Sequence, residues 1–337
     1  EILRCLVGSE MCIRDRVIPK VERPVDIREA MDFFRSEDPR TKVPLVDGTT
    51  IDYLPAQRLA LPVNKDNAIA AGIVKEEDRD LMVDTVYLNL RRGVLDKSEL
   101  MVIDLLSNFD WKRPIHFTQV YILQNLGLTD YLQFDGYSYR LVPILTPYDR
   151  RVGEIGRIDP DVIYPLLMET FRYGNVSDPR VYVDNFIQYN LMASGAREAF
   201  ARAAKAFLRR GGAGDRDKAV ALLDAGLEKM PPAQIRYTFS NTFPFLEAYY
   251  AAGEMEKGDA LLLSYAENLM QYLDYYLAFE GVQGDMVSGL IDDKLDELGQ
   301  IYLLAGYAGR RDAVARLNDY YRTLGATDED LLHVDAP

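Results

Sequence analysis

Histidine and cysteine are nearly missing from these 337 residues. There are two of each, and both cysteines, Cys5 and Cys12, fall within the first sixteen positions. So few nitrogen and sulfur ligands leave no set for an ordinary zinc site, and no disulfide can staple the rest of the chain. A surplus of positive charge is lacking as well: 53 acidic against 39 basic side chains give a formal charge of −14. Affinity for a phosphate backbone comes mainly from Lys and Arg, so this balance argues against nucleic acid as a partner and equally against an anionic membrane surface. Long apolar runs are absent too. A spanning helix needs about 18 consecutive apolar residues, and the stretch 100–109 is interrupted by Asp104, Ser107 and Asn108. Residues 1–16 show no basic start followed by an apolar core, as a secretory signal would.

What is present suits folded domains. Apolar residues make up 48% and charged residues 27%, and the length allows two ordinary domains with buried cores. The opening segment stands apart. Cys5-Leu-Val-Gly-Ser-Glu-Met-Cys-Ile-Arg-Asp-Arg16 resembles a translated sequencing adapter. Residues 1–16 are therefore read as a non-native tail, both cysteines as foreign, and the natural chain as extending further at its N-terminus.

The remainder changes texture near residue 180. Residues 17–180 hold most of the prolines and short apolar runs. The periodicity predicts helices over 24–34, 97–108, 121–126 and 159–171, a brief one over 78–84, and strands over 50–54, 58–63, 86–90, 114–118 and 137–145. Their varied order suggests an α+β layer rather than a regular β-α-β alternation. Residues 181–325 read as nearly all helix. Phe200, Ala203, Ala204, Phe207 and Leu208 share one helix face. Gly211 to Gly214 form a turn, and Ala219, Leu222, Leu223 and Leu227 line a second helix that Pro231-Pro232 ends. A second pair turns at Ala252-Gly253, and a third, containing Leu298-Gly-x-x-Tyr302, turns near 306–309. Three helix–turn–helix units of irregular period, about 40–55 residues, predict a degenerate tetratricopeptide-like repeat. The domain reading is thus a tail over 1–16, an α+β domain over 17–180, an all-α helical-repeat domain over 181–325 and an acidic tail over 326–337.

Chemistry-bearing residues are few. His333 lies in the acidic tail. His116 sits in a short strand near Trp111 and Arg113, and the hydrogen-bonded surface histidine outweighs the general base. No Gly-x-Ser-x-Gly elbow occurs. The acidic runs 76–80 and 292–297 lack EF-hand spacing and read as solvated helix ends. The glycine-rich 211–214 lacks the Lys-Ser/Thr of a phosphate loop. No catalytic residue, metal site or cofactor is assigned. The 22 tyrosines include the pairs 249–250, 275–276 and 320–321. One member of each pair is expected in the core. The other can face a groove able to hold a peptide or stack on a sugar, although bulky filler between helices is the stronger reading.

One stretch carries a specific resemblance. Trp111-Lys-Arg-Pro-Ile-His-Phe117 resembles a Trp-Lys/Glu-Arg-Pro-Ile-Tyr-Phe signature of bacterial multi-spanning membrane proteins described as transmembrane-protein-260-like or protein O-mannosyltransferase-like. Asp130-Tyr-Leu-Gln-Phe-Asp-Gly-Tyr-Ser-Tyr-Arg-Leu-Val-Pro-Ile144 resembles the stretch that follows it there. Asp38-Pro-Arg-Thr-Lys42, Ile51-Asp-Tyr-Leu-Pro55 and Leu61-Pro-Val-Asn-Lys65 fit the same pattern, so the resemblance spans about residues 25–325. His116 stands where the pattern has Tyr, and Asp135 and Tyr137 where it has Glu and Leu; these departures weaken any fixed chemical role at those positions.

The resemblance implies a C-terminal, extracytoplasmic (periplasmic) portion of a Bacteroidota-like protein. Its partners would be N-terminal membrane helices of the same protein, which carry lipid-linked-sugar transfer, and an acceptor protein or glycan. The expected role is non-catalytic recognition, with Trp111, Arg113, His116, Tyr139, Arg140, Tyr249 and Tyr276 as binding candidates. Two rivals remain: an envelope protein–protein scaffold unrelated to sugar, and a soluble hydrolase using His116.

Overall fold

The computed structural model describes residues 14–44, 50–148, 154–188 and 195–332. Cys5, Cys12 and His333 lie outside them. The chain divides into two units, Glu1–Asp159 and Pro160–Pro337; residue 180 falls inside the second. The first is α+β and the second all-helical, as the periodicity predicts.

The first unit holds three small sheets. Strands β1 (Arg14–Val17), β3 (Lys42–Pro44), β4 (Thr50–Leu54) and β7 (Val94–Asp96) form one, in the order β3-β4-β1-β7. The last residues of the adapter-like stretch thus take a central place, β1 pairing parallel to β4 and antiparallel to β7. The second sheet orders β2 (Val25–Asp26), β5 (Arg58–Pro62) and β6 (Thr85–Asn89) as β2-β5-β6. Alternation governs it: Leu59 and Leu61 of β5 face Leu88 and Val86 of β6 across the ladder, and all four are buried. Such cross-strand apolar pairs are the stabilising unit of a sheet. Helix α1 (Ile27–Arg35) buries Ile27, Ala30 and Met31, with Asp26 capping its start through the Arg28 amide. It packs on β4, on β5 and on α3 (Lys97–Ser107). Asp96 and Glu99 close a capping box on α3. Between them in sequence, α2 spans Lys65–Ala70.

Helix α4 (Tyr121–Leu126) stops at Gly127, whose φ is +69°. A Cβ there would lie 2.9 Å from the Asn89 carbonyl oxygen, so both the turn and the close approach require glycine. The third sheet is the smallest. It orders β8 (His116–Phe117), β9 (Leu132–Phe134) and β10 (Tyr139–Leu141) as β8-β10-β9. The strands expected over 114–118 and 137–145 are thus shorter than their β-forming composition suggests. The expected 78–84 helix is a 3-10 turn over Glu76–Leu81.

The second unit opens with α5 (Pro160–Pro165), which passes into a π turn over Leu166–Thr170 instead of continuing to 171 as one α-helix. Pro165 has no amide hydrogen to donate to the preceding turn, and the Phe171 amide closes on the Leu166 carbonyl five residues back, at 2.9 Å. Three helix pairs follow: α6 (Arg197–Arg210) with α7 (Asp215–Lys229), α8 (Phe239–Ala251) with α9 (Met255–Leu277), and α10 (Gly281–Tyr307) with α11 (Arg311–Thr323). Each pair packs on its own partner, and α6 on α8, α7 on α8, α9 on α10 and α9 on α11 link successive pairs. This nearest-neighbour stacking is that of a helical repeat. The leading helices begin at evenly spaced positions, 197, 239 and 281, while the following ones vary.

Buried Arg197 ties the first pair to the next. Its guanidinium donates to the Met230 carbonyl, to the Ile235 carbonyl at 2.7 Å and to Asn241 Oδ1 at 3.3 Å. Burial lowers its pKa to about 10. Small residues let the helices approach. A Cβ on Gly258 would sit 2.4 Å from Tyr250 Cε1, and that ring is anchored by its hydroxyl to Asp259 at 3.0 Å. Gly258→Ala is therefore expected to destabilise the helical unit by roughly 1–3 kcal/mol through overpacking. Denaturant unfolding should show the cost shrinking in a Tyr250→Leu background; equal cost in both backgrounds would refute the contact.

Candidate functional site

The third sheet gathers polar groups that are distant in sequence. Arg140 lies opposite His116 on one side and opposite Gln133 on the other. Neighbouring residues of a strand point to opposite faces. The same strands therefore put Phe117, Tyr139 and Phe134 on one face and His116, Arg140 and Gln133 on the other. The Tyr139 ring lies 5.1 Å from that of Phe134. Between β9 and β10 the chain turns tightly, the Asp135 amide bonding the Ser138 carbonyl at 2.9 Å while Gly136 takes a φ of +95°.

Buried Asp135 organises the polar face. Its carboxylate accepts from Gln133 Nε2 at 3.0 Å and pairs with Arg140 Nε at 3.0 Å. Arg140 also donates to the Gly72 carbonyl at 2.9 Å, which fixes the guanidinium. His116 Nδ1 lies 3.1 Å from Ser138 Oγ. Although His116 sits on an edge strand and is exposed, partial burial of its ring is the largest influence on its proton and lowers its pKa. Asp135 pulls the other way, and Arg140 adds to the lowering. The imidazole is thus held neutral beside a hydroxyl, a guanidinium and a carboxylate. The carboxylate is committed to Arg140 and Gln133, so the arrangement suits hydrogen bonding to a polar ligand better than proton abstraction. Among the described residues no group of three or more His, Cys, Asp or Glu is placed to share a metal ion.

The other expected site residues lie elsewhere. Trp111 is fully buried. Its indole nitrogen donates to the Pro62 carbonyl at 2.8 Å, and its ring stands 4.7 Å from that of Phe109. Among the described residues it is the one non-glycine with a positive φ, +64°. A cleft lined by Arg28, Asn64, Lys65, Phe109 and Asp110 borders it. Arg113 is exposed. Tyr249 and Tyr276 belong to the other unit. Tyr249 is 2% exposed and donates to Asp224 at 2.9 Å, and burial pushes its pKa well above the usual phenol value. Its neighbour Tyr250 is buried too, 8% exposed. This pair does not divide between core and groove, because two carboxylates on different helices receive the two hydroxyls. Tyr276 is half-buried and stacks on Tyr272 at 6.0 Å, beside an exposed Tyr275. Neither member of that pair lies in the core, so it does not divide as expected either.

Gln133, Asp135 and Ser138 went unrecognised in the sequence. Gln133 has a signal, a polar residue in the middle of the short strand Leu132–Phe134, which only the pairing of β9 with β10 turns into a face, whereas Asp135 and Ser138 lie in the turn between the strands and have none.

Residues 8–162 match the family model of TMEM260-associated domain 2. The match covers the whole described part of the α+β unit, including this polar face, and supports a TMEM260-like family. No curated protein and no solved structure matches the chain. Among the described residues no helix is long and apolar enough to cross a membrane.

The electrostatics set a direction that NMR can read. In a His333→Gln background, the imidazole signals of His116 should titrate below the free value of about 6.5. Asp135→Asn removes the one influence that raises its pKa and should move the midpoint lower still. A midpoint that rises in Asp135→Asn would contradict the placement.

Proposed function

We propose that this chain is a non-catalytic, extracytoplasmic part of a membrane-associated, glycosyltransferase-like protein, and that it recognises an acceptor protein or glycan through the polar face of the third sheet. The match to a TMEM260-associated domain carries the reading. The face itself supports it: His116, Ser138 and Arg140 offer a neutral imidazole, a hydroxyl and a fixed guanidinium side by side, groups that suit sugar hydroxyls and peptide amides. Membrane helices of the same protein are its proposed neighbours, and the periplasm its proposed compartment. The hydrolase reading finds no support, because Asp135 is tied to Arg140 and Gln133. The scaffold reading has one observation in its favour, a set of exposed apolar side chains on the helical unit.

Arrays of glycans and acceptor peptides probed with the chain test the reading. Binding should be saturable and fall about tenfold in a His116→Ala, Ser138→Ala variant, the loss of one or two hydrogen bonds to a polar ligand. Arrays that stay blank, or binding indifferent to both substitutions, would overturn it.

A further inference from the structure

The paired helices α9 and α10 end in a hairpin whose tip lacks a core. In α10 the buried residues are Leu298, Ile301, Tyr302 and Ala305; its first four turns contribute none. Yet those turns are not polar. Val282, Met286 and Leu290, four residues apart and hence on one side of the helix, are 76%, 79% and 44% exposed. Tyr275 near the end of α9 is 62% exposed and meets Phe279 edge-on at 5.1 Å. Helix formation does not call for this composition. Gly289 weakens the helix relative to alanine, and a Cβ there would meet nothing within 4 Å, so no neighbour within this chain requires its smallness. An exposed apolar stripe beside an open glycine suits a second helix lying close.

Charge decides what kind of helix. Between Lys257 and Lys294 there is no Lys, Arg or His, whereas seven Asp and Glu occur. Arg310 and Arg316 reach Asp259 and Glu267. Toward the tip, Glu280, Asp285, Asp292 and Asp293 are exposed around the stripe. A second copy of this chain would bring the same carboxylates face to face, which is costly, and an anionic bilayer would be repelled. We infer that the α9–α10 hairpin tip docks a cationic amphipathic helix of a partner protein, its apolar side on Val282, Met286 and Leu290 and its Lys or Arg flanks on the surrounding carboxylates. This surface is separate from the polar face of the α+β unit, so either can fail alone.

The probe is a synthetic fluorescent peptide with Leu on one helical face and Lys on the other. Controls are the same peptide with Glu in place of Lys, and one of identical composition broken by D-Leu. Anisotropy with the whole chain should show saturable binding of the cationic helix, weakening as salt rises, and little binding of either control. Met286→Gln with Leu290→Gln, at exposed positions that leave the thermal midpoint unchanged, should lower the affinity about tenfold or more. Three results would overturn the inference: equal binding of the D-Leu peptide, which would mean charge alone; an affinity that the double substitution leaves unchanged; or a dimer, seen by light scattering, that the same substitutions dissolve, which would mean that a second copy covers the stripe. Flotation with neutral or anionic vesicles in preference to the peptide would likewise assign the stripe to lipid.

Discussion

The Trp111 indole is the pin on which the α+β unit turns. A bulky residue in the left-handed region costs on the order of 1–3 kcal/mol, which the burial and hydrogen bond of this side chain offset. The ring is buried against Phe109, and its nitrogen holds the Pro62 carbonyl at the end of β5. From the bend at 111–113 the chain runs on to β8, and His116 arrives opposite Arg140. The tryptophan that the sequence marks as a binding candidate therefore serves the polar face from a distance: it fixes where the edge strand begins. The indole's bond to Pro62 also links the second sheet to the chain that enters the third.

The same dependence explains which parts of the fold are legible in sequence. Helices of two turns or more show their period, and α1, α3, α7 and α9 begin close to where apolar spacing, caps and glycines place them. Strands β5 and β6 alternate over five residues and are equally plain. Strands β1, β3, β7 and β9 have three or four residues, too few to show a period, and are defined by their partners. The candidate site falls in this second class. His116 and Arg140 could be singled out by residue type, but their meeting rests on the β8-β10 register. Buried Asp135, which organises the face, carries no local signal of burial, because what takes it out of water is the pairing with Arg140 and Gln133.

Four tyrosines of the helical unit follow one rule. Tyr249 donates to Asp224, Tyr250 to Asp259, Tyr265 to Glu297 and Tyr320 to Asp274, each bond joining one helix to another. Each phenol fills the gap between helices with its ring and satisfies its hydroxyl on a carboxylate at the margin. Burial, with the nearby carboxylate, raises the pKa of all four phenols, so they stay protonated donors throughout the neutral range. Filler between helices, rather than an aromatic groove, accounts for these four tyrosines.

That rule has an electrostatic consequence. A hydroxyl satisfies a carboxylate without neutralising it, so a repeat pegged by tyrosines keeps its negative charge where one pegged by arginines would lose it. Three of the four acids carry a cation beside the hydroxyl: Asp224 has Lys257, Asp259 has Arg310 and Glu297 has Lys294. Nearer the hairpin tip the arginines run out. Asp274 has the Tyr320 hydroxyl as its partner, and the acids beyond it surround apolar side chains rather than cations. Four exposed carboxylates, Glu280, Asp285, Asp292 and Asp293, thus lie where the helices outrun their own core. An isolated repeat gains nothing from apolar residues there, and a repeat that holds a cationic helix does.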